Sequence, residues 1–148
     1  MGALAEGALA AGGRVIGVIP KFMVDLEWGH NDLSELHVVE DMRTRKHEML
    51  TRASAVVALA GGTGTLEELF EAMTLKRLGL FLGPIVLVNT AGFYAPLLAQ
   101  LTAAINGRFM DERHDRLWTV VGEPDEVLTA IESSPQWSAD SRDFAVMR

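Results

Sequence analysis

A chain of 148 residues is long enough for one domain with a real core and too short for two ordinary ones, and its 49% hydrophobic content excludes a disordered chain. The net charge is −7 and the basic residues are scattered, apart from Arg43, Arg45 and Lys46, so nucleic acid is not the expected partner: a phosphate-backbone binder carries a basic face. Cysteine is absent, which removes disulfides and thiolate chemistry and suits a reducing cytoplasm; no apolar run reaches the roughly 18 residues of a membrane span, and neither a signal peptide nor a membrane partner is expected.

In chain order, Gly2 to Ala11 is rich in Ala and Leu and reads as a helix stopped by Gly12-Gly13. Val15 to Ile19 is a β-branched strand ended by Pro20. Lys21 to Ser34, with Gly29, Asn31 and Asp32, reads as a loop, and Leu36 to Val39 as a short strand. Asp41 to Ala53 spaces Met42, Met49, Leu50 and Ala53 as a helix does, with Asp41 as its N-cap. Ala55 to Ala60 is an apolar strand, Thr65 to Leu78 a helix, Ile85 to Val88 a strand ending at Asn89-Thr90-Ala91-Gly92, and Tyr94 to Ile105 a helix stopped near Gly107. Leu117 to Val121 is the last strand, and Pro124 opens a helix reaching about Ser133. Strands alternate with helices, and the strands are apolar without a period of two. The pattern predicts an α/β, Rossmann-like parallel sheet with helices on both faces, in a single domain over residues 1–134 followed by a frayed polar tail over 135–148.

The strongest chemical signal is a strand followed at once by Gly61-Gly62-Thr63-Gly64-Thr65 and a helix. The first amides of a helix lack internal partners and sit at the positive end of its dipole, and glycines let backbone N–H groups approach an anion. Thr65 is expected to cap the helix and to donate its hydroxyl to a phosphate oxygen. A plain strand-to-helix turn needs fewer glycines than these three. The loop is neither a P-loop, since no Gly-Lys-Ser/Thr follows, nor the dinucleotide fingerprint in its usual spacing. Glu67 and Glu68 follow. As first-turn acids they would be ordinary dipole complements; beside a bound phosphate they would lie near a ribose. Glu71 is expected to be solvated. The run Met42-Arg43-Thr44-Arg45-Lys46-His47-Glu48-Met49 suits an exposed helix face, yet it leads directly into the strand that carries the glycine loop. Open α/β sheets bind ligands at the carboxyl ends of their strands.

Together, Met42-Arg43-Thr44-Arg45-Lys46 and Gly61-Gly62-Thr63-Gly64-Thr65-Leu66-Glu67-Glu68 resemble the LOG ("lonely guy") family, cytokinin riboside 5′-monophosphate phosphoribohydrolases often labelled lysine decarboxylases. The resemblance extends to Val15-Ile16-Gly17-Val18-Ile19-Pro20 and to Asn89-Thr90-Ala91-Gly92-Phe93-Tyr94. It implies hydrolysis of the N-glycosidic bond of an adenine-type nucleoside 5′-monophosphate, AMP or N6-isopentenyl-AMP, to free base and ribose 5-phosphate. Carried over by position, Arg45 and Glu68 are catalytic. Lys46 partners the arginine, Gly61, Gly62, Gly64 and Thr65 cradle the phosphate with Thr63 between them, Glu67 is a second acid near the ribose, and Met42 belongs to the substrate-binding set. No metal or redox cofactor is implied, and a homodimer or larger homo-oligomer is.

Two features depart from the family pattern. Ala60 stands where the family has a proline, and the family's first strand, helix and second strand have no counterpart, so the sequence is expected to be an incomplete record of a longer protein. A nucleotide-binding carrier or sensor would need the glycine cradle but not the Arg45–Glu68 pair, and an inactive fragment is a third reading. His30, His37, His47 and His114 lack metal-ligand spacing and read as surface or loop residues. Lys21, Lys46 and Lys76 are the only lysines, none in a pyridoxal-phosphate context. Trp28, Trp118 and Trp137 read as packing or interface residues. Met73, Leu75, Leu78 and Leu80 to Leu82 make an apolar helix end that suits either core burial or a subunit interface.

Overall fold

Parallel pairing organises every strand of the described residues, which in this computed structural model are 1–26 and 33–145. The expected loop residues Trp28, Gly29, His30, Asn31 and Asp32 lie outside them, as does the end of the tail, 146–148. The chain divides into two compact units, Met1–Arg52 and Ala53–Arg148, each with its own parallel sheet flanked by helices. This is the α/β, Rossmann-like class that the alternation of strands and helices predicts.

In the first unit, helix α1 (Gly2–Ala10) ends as expected at Gly12-Gly13. Strand β1 (Ile16–Pro20) pairs in parallel with β2 (Glu35–Val39), from Ile16 opposite Glu35 to Pro20 opposite Val39. A short helix α2 (Lys21–Asp25) replaces the start of the expected loop. Pro20, with φ −68°, is its N-cap, and the five residues after it contain neither glycine nor proline to break a turn. Helix α3 (Met42–Arg52) starts where Asp41 predicts: the Thr44 amide donates to Asp41 Oδ1 at 2.7 Å, and that bond holds the carboxyl below its usual range. Strand β2 differs from the apolar strand expected. Leu36 and Val38 are exposed, while Glu35 and His37 are half-buried. Glu35 pairs with Arg14 and His37, His37 reaches Glu48 of α3, and Arg52 pairs with Glu48 at 3.0 Å. The hydrogen bond from His37 is the main cause of a lowered Glu35 carboxyl, assisted by Arg14 and Arg52 against partial desolvation. His37 is thus part of a charged cluster rather than an isolated surface residue. Ion pairs this close to solvent are screened by water, so the cluster fixes geometry more than stability.

In the second unit, β3 (Val56–Ala58), β4 (Ile85–Val88) and β5 (Thr119–Val121) form a sheet in the order β3-β4-β5, with Val57 opposite Val86 and Leu87 opposite Val120. All four residues of β4 are at most 2% exposed, so neither face of this strand meets water. Val86, Val88, Val121 and Ala130 form the core, with Leu59, Val127 and Ile131 packed against it. Each of these valines contributes roughly 1.5–3 kcal/mol when fully buried. Helix α4 (Thr63–Arg77) links β3 to β4 and buries Leu69, Ala72, Met73 and Lys76, a spacing of three and four residues. Of the apolar stretch at its end, Met73 and Phe81 enter the core, whereas Leu80 and Leu82 are exposed. Helix α5 (Ala95–Asn106) is followed by a left-handed residue, as helix ends often are, but that residue is Arg108 (φ 59°) and not Gly107. A 3₁₀ turn over Glu112–Leu117 delays β5 to Thr119, and a second, Pro124–Glu126, precedes α6 (Val127–Ser133).

The described residues beyond α6, 134–145, are folded, against the frayed tail expected over 135–148. Ala139–Phe144 forms a 3₁₀ helix, and Ser141 and Ala145 are buried. Trp137 Nε1 donates to the Lys76 carbonyl at 2.7 Å, beside the Gly79 amide, which donates to the same carbonyl at 3.0 Å at the end of α4. Phe144 lies beside His114, ring centroids 5.4 Å apart, and under the Arg113 guanidinium at 3.8 Å. His114 is fully buried rather than on the surface; its Nδ1 accepts from the Asp111 amide at 3.0 Å and closes a capping box with Asp111. Arg113 holds the Asp111 carboxyl well below the usual range. Burial, with help from Arg77, pushes the His114 imidazole down, and Asp111 opposes it. Lys76 is 2% exposed with its ammonium 5.8 Å from the Trp137 ring centre, and burial pushes the amine down to about 8. The polar sequence of this segment hides its few anchors, Trp137, Ser141, Phe144 and Ala145, which follow no helical or strand period.

Both depressed groups make the unfolded chain the better proton acceptor, so stability rises with pH across each interval. The contribution of neutral His114 is present above pH 6.5 and is lost as pH falls below that toward the lower folded-state value. The burden of charged Lys76 is relieved as pH climbs from about 8 to 10.5. Thermal melts of the wild type and His114→Gln, which keeps a capping-box acceptor without the titrating ring, are expected to differ in slope below pH 6.5, the variant being flatter; parallel curves would refute this. Gly79 has φ +68°, and a Cβ there would come within 2.8 Å of the Ala139 Cα. Gly79→Ala is expected to lower stability by about 1–3 kcal/mol in denaturant titrations.

Candidate functional site

The glycine loop follows β3 directly and opens α4, so the residues Gly61, Gly62, Thr63, Gly64 and Thr65 form one continuous stretch at a helix start. Gly62 is the N-cap, and no side chain caps the helix. Thr65 therefore sits in the first turn instead of capping it, and its side chain folds back over Gly61: a Cβ on Gly61 would collide with Thr65 Oγ1 and with its Cβ at 2.8 Å. The glycine at 61 is required by the chain itself. Gly62 and Gly64 are different. A Cβ on either would meet no atom within 4 Å, and neither has a positive φ. The fold gives no reason for glycine at these two positions. Gly62, Thr63 and Gly64 are exposed, and Thr65 is half-buried. With no side chain capping them, the first amides of α4 make up the positive end of its dipole and can receive an anion.

Because α4 starts at Thr63, two residues earlier than predicted, Glu67 and Glu68 fall in its second turn. The first turn holds no acid, so the dipole-complement reading of these residues is removed. Glu67 is exposed and Glu68 half-buried. Glu71 is not solvated as expected; its Oε2 is buried. Met42, Arg45 and Lys46 lie on the first turns of α3 in the first unit, all half-buried. Arg45 Nε donates to the Val18 carbonyl of β1 at 3.0 Å, which anchors its side chain on the strand beside it. Among the described residues, no group of three or more His, Asp or Glu side chains is arranged to hold a metal.

The turn after β4 contributes residues that periodicity does not single out. Tyr94, 1% exposed, donates its hydroxyl to the Leu59 carbonyl at 2.6 Å, immediately ahead of the glycine loop. Asn89 Oδ1 accepts from the Tyr94 amide at 2.6 Å. The Asn89 amide donates to the Val121 carbonyl at 2.8 Å, and Thr90 Oγ1 to the Gly122 carbonyl at 3.2 Å. One turn thus ties together the carboxyl ends of β3, β4 and β5, the edge where open α/β sheets take ligands. The resemblance of Asn89 to Tyr94 to a family segment was the available signal, but nothing in the spacing indicated the bond to Leu59. A cleft of about 190 Å³ runs along the C-terminal segment, lined by Arg113, Arg116, Trp137 and Phe144 among others, and none of the expected site residues lines it.

A family model described as "Possible lysine decarboxylase" matches residues 1–131. Among curated proteins, the cytokinin riboside 5′-monophosphate phosphoribohydrolase of Rhodococcoides fascians is 49% identical over 109 residues, 72% of this chain and 55% of that protein. The probable cytokinin riboside 5′-monophosphate phosphoribohydrolase LOGL2 of Oryza sativa is 36% identical over 92% of this chain and 56% of its own length. The Arabidopsis thaliana cytokinin riboside 5′-monophosphate phosphoribohydrolase LOG7 is 35% identical over 89% of this chain and 61% of its own. The chain spans about half the length of the curated relatives it matches. With the matched region covering both α3 and the glycine loop, the chain belongs to the family described as possible lysine decarboxylases, the LOG family that its Arg-Lys pair and glycine loop resemble.

Proposed function

We propose that this protein hydrolyses the N-glycosidic bond of adenosine 5′-monophosphates, N6-substituted ones included, to free base and ribose 5-phosphate. The observation that carries this reading is the uncapped start of α4, where Gly62 and Gly64 leave open space that the fold itself does not use. A 5′-phosphate held there would receive the first amides of the helix, with Thr65 as a further donor. The relatives' printed names, cytokinin riboside 5′-monophosphate phosphoribohydrolases, supply the substrate class.

In this mechanism the bond between the base nitrogen and C1′ breaks with its electron pair going to the base. Positive charge develops on the ribose ring, a water adds its oxygen to C1′, and its proton ends on the departing base or in solvent. Glu68, one turn inside the helix, stabilises the oxocarbenium-like state and orients the water. Glu67 assists near the ribose. Arg45 offsets charge on the departing base or holds the phosphate, with Lys46 and Met42 in the same binding set. The residues are proposed to act in a single domain over 1–134, in a homodimer or larger assembly. The exposed apolar side chains Phe22, Leu26, Leu36 and Val38 support a partner surface of that kind. No helix of the described residues is long and apolar enough to cross a membrane, and the lack of cysteine suits the cytoplasm.

Incubation with AMP and N6-isopentenyl-AMP, with detection of free base, tests the reaction. Glu68→Gln is expected to lower the rate about a hundredfold to a thousandfold with little change in nucleotide affinity. Near-full hydrolysis by the variant would sink the assignment of Glu68, and tight binding of both nucleotides by the wild type without release of base would favour a carrier or sensor. Gly64→Ala separates stability from function. Inside a helix the added methyl is expected to raise stability by about 0.5–1 kcal/mol. The same methyl would occupy the phosphate space and weaken AMP binding at least about tenfold in calorimetry. Unchanged affinity would remove the loop from the site.

A further inference from the structure

We propose that Tyr94 is a positioning residue for the glycine loop, acting through the Leu59 carbonyl. The proposal rests on the reading of that loop as a phosphate site. Strand β3 is only three residues long and ends at Ala58, so Leu59 lies past the last pair of the ladder with β4. From Leu59 onward the chain has Ala60, Gly61 and Gly62 before α4 begins, and no side chain caps that helix. Nothing in this stretch is stiff by itself. The Tyr94 hydroxyl, donating at 2.6 Å, grips the backbone where it leaves the sheet.

The grip is itself well anchored. Tyr94 is 1% exposed, its amide is held by Asn89 Oδ1, and the Phe93 ring packs against it edge-on with centroids 5.1 Å apart. The turn is bonded to the end of β5 through Asn89 and Thr90. Ala91, a non-glycine residue, takes φ 53°, a left-handed conformation that persists only where the surroundings determine it. Burial also raises the Tyr94 hydroxyl above its ordinary pKa, so it stays a donor at any physiological pH. A buried tyrosine always needs a partner. What gives this partner consequence is its position, directly ahead of amides that must hold a fixed array to bind an anion. An array displaced by a fraction of an ångström binds less well.

Tyr94→Phe removes only the hydroxyl. Backbone amide order parameters from NMR relaxation, which need no hydrogen bond at the amide, are the first readout: those of residues 61–65 are expected to fall from about 0.85 toward about 0.6, while those of β4 keep their wild-type values. For AMP as substrate, KM is expected to rise about fivefold with kcat within about twofold of wild type, as loss of one hydrogen bond acting on binding requires. Loop order parameters at wild-type values, or a uniform fall across β4, α5 and the loop, would overturn the proposal, since the first shows no hold on the loop and the second only a general loosening. A looser loop with an unchanged AMP KM would also overturn it. If wild-type protein neither binds nor cleaves AMP while Tyr94→Phe still loosens residues 61–65, the phosphate reading fails and the bond's hold on the loop stands. Should Tyr94→Phe not fold, Asn89→Ala, which frees the Tyr94 amide, is expected to loosen the same five amides, and failure to do so would likewise overturn it.

Discussion

Strand β4 has no water on either face, and the second unit is arranged around that constraint. Four consecutive apolar residues can be dry on both sides only if strands flank them and helices cover the sheet. The flanking strands are β3 and β5, three residues each, too short to hold much by their own ladders. Their carboxyl ends are fixed instead by the turn that leaves β4, which bonds forward to Val121 and Gly122 and back to Leu59. A buried strand thus delivers a rigid turn, and the turn sets the point from which the glycine loop departs. The chemistry proposed for the loop depends on packing several residues away from it.

Helix α4 is used at both ends. Its N-terminus leaves amides uncapped among glycines whose side the fold does not fill, which is the condition for an anion to enter. At its C-terminus the Gly79 amide and the Trp137 indole both donate to the Lys76 carbonyl, and the chain folds back over Lys76 and Gly79. The middle of the helix carries Leu69, Ala72 and Met73 into the core. A rigid helix anchored at one end and in the middle is free to present the other end to a ligand.

How much of this could be read from the sequence depended on the range of the interactions involved. The glycine loop, the Asp41 cap and the apolar β4 were legible because backbone conformation and burial of neighbouring residues are written locally. The start of α4 was misplaced by two residues since Thr63 and Thr65 are equally good first-turn residues, and that shift changed the meaning of Glu67 and Glu68. Strand β2 was read as apolar, but its inward residues are Glu35 and His37, whose partners Arg14, Glu48 and Arg52 come from elsewhere in the chain. The burial of His114, the docking of Trp137 and the bond from Tyr94 to Leu59, 35 residues apart, belong to the same class. Such contacts leave no period or motif, only single polar or aromatic residues that look ordinary one at a time.

The placement of Trp137 has a practical side. Its indole nitrogen is bonded to the last turn of α4 and its ring lies near a buried ammonium. Indole emission responds to nearby charge and to loss of such a bond, so one of the molecule's three tryptophans is a native optical probe of whether its closing segment is seated. The protein therefore carries, without any attached dye, a signal that follows the far end of the helix whose other end carries the glycine loop.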